Sequence, residues 1–503
     1  GDTAKDGSVK SPAPGDWGAI NVGTTGSINL SRARLRYASV GISAVGEASV
    51  ALADSDVRDI GETGVRAYGS GNPNGHPTSS PTVSVTGTTF EDNVRHAVTL
   101  TSIDRPRVSD NTFYDNGYGL VERCLPYWAG GACSQVRSVP VQVAGDLDLS
   151  KLGGNRGSGN GTDSLMLNGH VVAGSTWPSS SWPIVIGGRP FGGGGYDLDY
   201  ADESENNYGQ LWVDDGVTIT VPAGTVTKFD RGNSFMIDGS LTANGTADSQ
   251  VVFTSLRDDS IGGDTAKDGS VKSPAPGDWG GITVSGGGSM DAEQAQFGFA
   301  STALGLGGGT HRLQGVEIKD SSLGLSVTGG AQVSFRGSIH DVETGVRACN
   351  WGTECSVDAT HVDWGTSNGP YPQGEEALIC GAVVASPWIS TGGLSGGSVF
   401  ASPNCDGSST PEELVSVSAQ YFGARMSLRG IDCGNGFEDA CAAIETAQRC
   451  LGAARTLANE NFPVPVDTGG VVNAMGSQFV EHGSSYLRNS ADSVVSSIGS
   501  VTG

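Results

Sequence analysis

The sequence predicts an all-β fold, a right-handed parallel β-helix (β-solenoid) that is duplicated and ends in a short α-helical C-terminal tail. Three observations lead to this prediction. Glycine supplies 79 of the 503 residues, more than twice its usual share of ~7%. Short apolar runs alternate with period two between Gly, Asn and Asp, which is typical of half-buried strands and turns. These runs recur in segments of 22 or 23 residues, the short repeat of a solenoid.

Each segment holds two or three short strands, so one segment corresponds to about one coil. Stacked coils place their strands ~4.8 Å apart and bury Val, Leu, Ile, Phe and Ala in one column. The segment VTITVPAGTVTKF at 217–229 predicts two strands joined at Pro-Ala-Gly. An array of β-sandwiches is the alternative, but it lacks the 22-residue period and needs hairpin turns, whose Asn-Gly or Asp-Gly signals do not recur.

A long internal repeat sets the domain organisation. The segment Gly1–Gly18 recurs unchanged at Gly263–Gly280, which indicates a repeat architecture. We therefore expect the end of a first β-helix unit at 1–187, a Gly-rich acidic insert at 188–210, and a second unit at 211–410. The chain begins without an initiator Met, which suggests a processed product or a piece of something longer, covalently continuous with further domains.

The composition changes from about Pro411. An Ala-rich stretch that starts at Gly436 has apolar residues at helical spacing and no strand alternation. We expect 411–503 to be mainly helical. Two roles fit it equally: a cap on the open end of the solenoid, or a linker to a further domain.

Charge restricts the partners. The chain has 54 acidic and 29 basic residues and a net charge of −25, so a nucleic acid or an anionic membrane surface would be repelled. No apolar stretch approaches the ~20 residues of a membrane span. Divalent cations, neutral glycans and protein surfaces remain as expected partners.

The nine cysteines occur mostly as near neighbours. Short spacing in Gly-rich loops predicts local disulfides in an oxidising compartment, with buried free thiols as the alternative. No CxxC occurs and the histidines are few and scattered, so the sequence does not predict a zinc site. The pairing within Cys433, Cys441 and Cys450 is left open. The disulfide candidates are Cys124 with Cys133, Cys349 with Cys355, and Cys380 with Cys405.

Several motifs resemble a known group of proteins. The segments VTITVPAGTVTKF, SLTANGTADSQVVF and GDTAKDGSVKSPAPGDWG resemble the right-handed parallel β-helix repeat regions of large secreted or surface-exposed bacterial proteins. The resemblance covers roughly residues 1–400. It implies an extracellular or cell-surface location and a multidomain context, but no single chemistry.

The duplicated loop is the best candidate site. The residues from Asp264 to Gly269 follow the outline D-x-[DN]-x-[DN]-G of a calcium loop, although Ala266 stands where the second ligand belongs. The sequence thus predicts Ca²⁺ binding in the weak ~10⁻⁴–10⁻³ M range. An Asp-capped loop without metal is the alternative. The predicted ligands are Asp258, Asp259, Asp264, Asp268 and Asp278, and in the first copy Asp2, Asp6 and Asp16.

Two other groups favour structural roles. Trp17 and Trp279 stand in identical PGDWG contexts, and we expect them to plug solenoid layers rather than bind sugar. The acidic positions Asp56 and Glu91 with Arg58 have the composition of a solvated face more than that of a catalytic carboxylate pair.

We therefore expect a non-enzymatic extracellular scaffold or adhesion protein, stiffened by calcium and disulfides, that presents a rod surface for binding or assembly. A polysaccharide lyase or glycoside hydrolase of the β-helix type is one alternative. The stalk of a larger secreted toxin-like protein is another.

Overall fold

The computed structural model of the chain describes residues 11–71, 75–118, 138–187, 210–269, 272–348 and 355–365, together with strand segments within 121–136, 189–197 and 369–395. Several sequence-based predictions lie outside these residues. They are most of the insert at 188–210, the tail at 411–503, the ligands Asp2 and Asp6, and the side chains of Cys124, Cys133, Cys349, Cys380 and Cys405.

The described chain is nearly all β-strand. In chain order, the strands as far as the insert are β1 (Ile20–Val22), β2 (Ser27–Ser31), β3 (Arg34–Arg36), β4 (Ile42–Val45), β5 (Ser49–Ala53), β6 (Asp56–Arg58), β7 (Val65–Tyr68), β8 (Thr82–Thr86), β9 (Thr89–Glu91), β10 (Val98–Asp104), β11 (Arg107–Ser109), β12 (Thr112–Tyr114), β13 (Val121–Cys124), β14 (Cys133–Val136), β15 (Val141–Leu147), β16 (Arg156–Ser158), β17 (Leu165–Val171), β18 (Ser175–Thr176), β19 (Ile184–Ile186), β20 (Arg189–Pro190) and β21 (Tyr196–Asp197).

The strands after the insert are β22 (Leu211–Val213), β23 (Thr218–Pro222), β24 (Val226–Phe229), β25 (Ser234–Ile237), β26 (Ser240–Asn244), β27 (Val251–Ser255), β28 (Gly281–Val284), β29 (Ser289–Glu293), β30 (Ala295–Gly298), β31 (Thr302–Gly307), β32 (Thr310–Thr328), β33 (Gln332–Ala348), β34 (Ser356–Asp358), β35 (Val362–Asp363), β36 (Pro370–Tyr371), β37 (Glu376–Cys380), β38 (Val383–Val384), β39 (Trp388–Ser390) and β40 (Gly393–Ser395). The pair β23 and β24 confirms the two strands predicted on either side of Pro-Ala-Gly.

Helix is nearly absent from the described residues. One 3-10 turn, Leu149–Lys151, follows β15, and its N-cap Asp148 accepts a hydrogen bond from the Ser150 amide. Among the residues described, no helix has the length and apolar character needed to cross a bilayer.

Parallel pairing builds a solenoid-like stack with three strands per coil. The first strands of successive coils form one sheet, which we call face A: β1 pairs with β4, β4 with β7, and β7 with β10. The second strands, beginning with β2, β5 and β8, form face B, and the third strands, beginning with β3, β6 and β9, form face C. Ile20 is the partner of Ile42, and Ile42 that of Val65, so these coils have the predicted 22 and 23 residues.

In the later coils the segments between strands shorten until the strands of one coil join into a single long strand. β32 and β33 each run as one long strand around the stack, and they pair in parallel over most of their length. Asp320 and Asp341 lie at positive φ within these strands and turn the chain at equivalent corners. The regular 21-residue offset from Leu304 to Leu325, and from there to Val346, leaves no room for excursions between faces.

One hydrophobic column fills the stack. Inward positions alternate with outward ones along each strand, and a single cluster of buried side chains extends from Val22 to Trp388. Aromatic rings continue the stack inside it: Phe90 lies on Phe113 and Phe253 on Phe297, each with centroids 5.2 Å apart. Because β17 pairs directly with β22, the insert at 188–210 interrupts neither the sheet nor the core.

The Gly, Asn and Asp punctuation of the sequence forms the corners. Asp54, Gly87, Asp110 and Gly154 lie at positive φ at equivalent places in successive coils, a conformation that Gly, Asp and Asn tolerate best. A side chain at Gly154 would meet the Asp110 carboxylate at 2.2 Å. The polar residues that follow these corners turn inward.

Buried asparagines link the coils at this corner and at the next corner of each coil, where Asp92, Asp115 and Gly159 lie at positive φ. The Asn116 amide donates to Asn160 Oδ1 at 3.0 Å and accepts from Asn93 Nδ2 at 2.6 Å. A second ladder joins Asn111 to Asn155 at 3.2 Å. Each side chain thereby satisfies backbone groups that the turn removes from the strand ladders.

Candidate metal-binding site

The excursion between β27 and β28, which contains the duplicated segment, is anchored on a buried lysine. Lys228 on β24 is fully buried, and its Nζ donates to the backbone oxygens of Asp258 at 2.8 Å and Gly263 at 2.7 Å. Burial lowers the pKa of Lys228 to about 8, and the nearby carboxylates of Asp258, Asp259 and Asp264 oppose that fall. The buried ammonium group of Lys228 thus holds the loop through hydrogen bonds to two of its backbone oxygens.

Three of the predicted calcium ligands lie close together in this loop. Oxygens of Asp259, Asp264 and Asp268 lie within 4.8 Å of one another; we call these three residues the acidic loop site. The Asp264 carboxylate also accepts from the backbone amides of Asp268 at 3.1 Å and Gly269 at 3.0 Å. The site therefore combines carboxylate oxygens, the donors that Ca²⁺ prefers, with the capped turn that was the alternative interpretation.

The other predicted ligands lie elsewhere. Asp258 accepts from Thr254 Oγ1 at 2.7 Å and from the Ser260 amide at 3.1 Å. Asp278 accepts from Ser255 Oγ at 2.7 Å and pairs with Arg257 at 3.3 Å. Asp258 therefore stabilises the start of the excursion and Asp278 stabilises its end. Neither carboxylate is part of the acidic loop site.

In the first copy, Asp16 repeats the turn made by Asp278. It accepts from the Ala13 amide at 2.9 Å, as Asp278 does from the Ala275 amide at 3.2 Å. Asp2 and Asp6 lie outside the described residues, so the first-copy site stays a prediction.

Ala266 has a structural reason to be apolar. It is buried in a small second cluster on the outer surface of face A, formed with Val139, Ala144, Met166, Val185 and Leu256. Next to it, Lys267 pairs with Asp163 at 3.2 Å. The duplicated loop therefore folds back over earlier coils, and the residue that breaks the calcium pattern is its hydrophobic contact.

The two tryptophans of the duplicated segment occupy equivalent positions with different surroundings. Trp17 bridges to Ala38 and Trp279 to Ala300, and each indole donates to a backbone oxygen, of Arg36 and Gly298 respectively. Trp279 is fully buried and stacks on Phe229 at 3.9 Å, whereas 39% of Trp17 is exposed. Trp279 plugs a layer of the core, as predicted, whereas the prediction is wrong for the exposed Trp17.

The acidic face considered for catalysis is a set of ion pairs. Arg58 contacts both Asp56 and Glu91, and Arg36 lies 3.5 Å from Asp56. These carboxylates come from neighbouring face C strands and are held by guanidinium groups, the arrangement of a charged outer surface.

Cysteine positions are described only in part. Cys355 is disulfide-bonded, and the identity of its partner lies outside the described side chains. Cys124 and Cys133 stand opposite each other in the antiparallel pair β13–β14, where Cα atoms are about 4.5–5.5 Å apart, within the range of a disulfide. The pairings remain predictions.

Sequence reasoning missed a cluster on the outer surface of face A. His170 on β17 is the register partner of Asp146 on β15 and of Trp212 on β22, while His76 comes from the loop between β7 and β8. His76 Nδ1 lies 2.8 Å from Asp146 Oδ1, and His170 Nδ1 lies 2.7 Å from Asp214 Oδ1. We call these four residues, His76, Asp146, His170 and Asp214, the histidine cluster.

The signal for this cluster is weak in the sequence. Asp146 and His170 occupy the same place in neighbouring coils, 24 residues apart, which a strand alignment reveals. The position of His76 has no such signal, because it depends on where a long loop comes to rest.

Comparisons with known proteins find no relative: no family model matches the chain, and neither curated proteins nor solved structures give a match.

Proposed function

We propose that this chain is an extracellular or cell-surface bacterial scaffold, a non-enzymatic right-handed parallel β-helix that presents a rod surface for binding or assembly. The observation that carries this proposal is the unbroken parallel pairing within the 27-stranded sheet to which the face A strands belong. Within the described residues it has thirteen levels, from β1 to β37. At ~4.8 Å per level the stack is roughly 60 Å long. A stack hydrogen-bonded at every level suits a rigid spacer.

Two finer features belong to the proposal. Each coil leaves a face A strand and returns to the same sheet in parallel, and such crossovers are right-handed in about 98% of cases. The predicted helical tail at 411–503 would cover unpaired strand edges at the end of the stack. An experimental density map with left-handed coils, or with further coils at 411–503, would contradict these features.

The proposed location rests on the cysteines. A disulfide at Cys355 and the opposed positions of Cys124 and Cys133 support an oxidising compartment. Three disulfides between neighbouring cysteines and one further disulfide would use eight of the nine cysteines. Thiol titration of the denatured, unreduced protein should therefore find about one free thiol. Nine titratable thiols would contradict an oxidised, extracellular protein.

Weak Ca²⁺ binding at the acidic loop site is part of the proposal. Asp259, Asp264 and Asp268 bring three carboxylates within 4.8 Å, and one buried ammonium, that of Lys228, offsets only part of their charge. We expect several millimolar Ca²⁺ to raise the melting temperature and expect Asp264→Ala plus Asp268→Ala to abolish the rise. Asp238→Ala plus Asp248→Ala, in other turns of the second unit, is the control. No shift in the unaltered protein would remove calcium from the proposal.

The scaffold and the enzyme alternative make opposite predictions on a panel of anionic and neutral polysaccharides. A scaffold leaves the glycans intact, whether or not it binds them. Depolymerisation that is lost in Asp56→Ala or Glu91→Ala would replace the scaffold with a lyase or hydrolase acting at face C.

A further inference from the structure

The histidine cluster has the composition of a transition-metal site. Donor atoms of His76, His170 and Asp214 all lie within 4.8 Å of one another. Two imidazoles with one carboxylate are borderline donors that suit Zn²⁺ and its neighbours better than Ca²⁺ or Mg²⁺. Three protein ligands also leave a coordination position for water, as in open zinc sites.

The distances are close to those that a zinc ion requires. Tetrahedral coordination at about 2.0–2.1 Å separates donor atoms by about 3.3 Å. His76 Nε2 lies 3.8 Å from Asp214 Oδ2, and His170 Nδ1 lies 2.7 Å from Asp214 Oδ1. These distances involve different oxygens of Asp214, so on metal binding one carboxylate oxygen has to move to about 3.3 Å from both imidazole nitrogens, which requires a change in the Asp214 side-chain torsions. In that change the ion replaces the proton shared between His170 and Asp214.

A further carboxylate orients one of the ligands. Asp146 Oδ1 lies 2.8 Å from His76 Nδ1, and in the tautomer that donates Nδ1–H to Asp146 the lone pair of Nε2 is on the side of Asp214. Carboxylate, histidine and metal in this order are the usual outer arrangement of zinc sites. The Trp212 ring, stacked on His170 with an interplanar angle of 10°, fixes the plane of the other imidazole.

The ligands come from distant parts of the chain. His76 belongs to a loop of the third coil that is closed by the Ser70–Ser79 bridge, and it reaches His170 and Asp214, which lie three or more levels further along face A. A bound ion would tie this loop to the outer surface of the stack.

We propose that His76, His170 and Asp214 bind a divalent transition-metal ion, with Zn²⁺ the expected ion, and that Asp146 is a positioning residue for His76. The side chain of His76 is 56% exposed, which gives the ion access from solvent. This site is independent of the acidic loop site and of the scaffold function.

The test uses the full chain, stripped of metal by a chelator and titrated with Co²⁺ and Zn²⁺. We expect one equivalent of Co²⁺ with visible absorption typical of tetrahedral nitrogen and oxygen ligation, displaced by Zn²⁺. His170→Gln should lower the Zn²⁺ affinity at least 100-fold, and Asp146→Asn 10- to 100-fold with the stoichiometry unchanged. Circular dichroism checks that the variants fold.

The matched control is His340→Gln. His340 also lies between two carboxylates, 2.7 Å from Asp341 and 3.3 Å from Glu317, but it is paired with carboxylates alone, so its replacement should leave the titration unchanged. Asp264→Asn plus Asp268→Asn should do the same. The proposal is overturned by the absence of binding, by full binding in His170→Gln, by an equal loss in His340→Gln, or by thiolate-to-cobalt bands that indicate cysteine ligands.

Discussion

Lys228 shows how one residue determines the course of a long loop. Its ammonium is buried under the excursion after β27 and binds two backbone oxygens, those of Asp258 and Gly263. Burial of a charge is costly unless hydrogen bonds and opposite charges compensate for it. Here the surrounding aspartates compensate in part, since the pKa of Lys228 still falls from its ordinary 10.5 to about 8.

This lowered pKa predicts an unusual pH dependence of stability. Below pH 8 the folded protein bears the full cost of the buried charge. Between pH 8 and 10.5 the unfolded chain holds the proton that the folded chain has released, so the free energy of unfolding rises with pH by up to about 3 kcal/mol. Denaturant unfolding measures the free energy of unfolding of the protein and of Lys228→Met. The value for the unaltered protein minus the value for Lys228→Met should rise between pH 8 and 10.5. A signed difference that stays constant or falls with pH contradicts the prediction.

Asn116 is the clearest case of a residue whose role depends on its neighbours in the stack. It is fully buried, and its amide donates to the backbone oxygens of Phe90 and Tyr114 as well as to Asn160. A buried acceptor left without a donor costs about 1–3 kcal/mol.

We therefore expect Asn116→Ala to lower the free energy of unfolding by about 3 kcal/mol or more, measured from urea midpoints. Asn29→Ala is the matched control, because Asn29 lies exposed on β2. It should change stability by less than about 0.5 kcal/mol. Equal effects of the two substitutions would show that the ladders contribute nothing specific.

At the scale of elements, the duplicated segment offers an internal experiment. The same eighteen residues occur twice, but Trp279 lies on Phe229 inside the core while Trp17 is 39% exposed. We therefore expect the coil that covers the indole, and not the local sequence, to determine how much each tryptophan stabilises the fold.

Trp279→Ala is expected to cost about 3–5 kcal/mol, as large-to-small changes in cores do. Trp17→Ala should cost about half of that or less, because its ring loses less buried area. Denaturant midpoints of the two variants provide the measurement. Equal losses would mean that the local turn, with its indole hydrogen bond, accounts for the whole effect.

At the scale of the whole molecule, the described part of the chain is a one-dimensional stack. Each coil touches mainly the coils before and after it, so stability is close to a sum of coil and interface contributions. The excursions that fold over face A, with Ala266 and His76, are the exceptions that connect coils further apart.

A core cavity should therefore act locally. Phe113→Ala removes a ring that contacts Phe90 and Trp182, and hydrogen exchange should accelerate in the coils around β9, β12 and β16. Amides near Phe335, many levels away, should keep their protection. Mass spectrometry of exchanging peptides distinguishes this from a uniform loss of protection, which would indicate a single cooperative unit.

Much of the fold was predictable because the same apolar alternation and corner residues recur in every coil of the stack. The 22-residue period placed Ile20, Ile42 and Val65 in one column, and the strands on either side of Pro-Ala-Gly formed as β23 and β24. Two features were not foreseen: the long strands β32 and β33, and the asparagine ladders, although Asn and Asp recur at the corners in the sequence.

The candidate sites were predictable only within one stretch of chain. Asp259, Asp264 and Asp268 lie close in sequence, so local turn geometry brings them together. Asp258 and Asp278 are instead held by the hydroxyls of Thr254 and Ser255 at the end of β27, contacts that the calcium-loop pattern does not include. Ala266 seemed a defect in a metal motif, and the structure gives it an apolar environment.

The sequence alone determined the coil, because alternation and corner residues are local and repeat in every level. Only the tertiary structure decided where the excursions come to rest, since loop closure is limited by contacts on face A that no local pattern encodes. His76 meets His170 and Asp214 for that reason, and Lys228 becomes buried for the same reason. The strands of this protein follow from its sequence period, and its candidate metal sites follow from its loops.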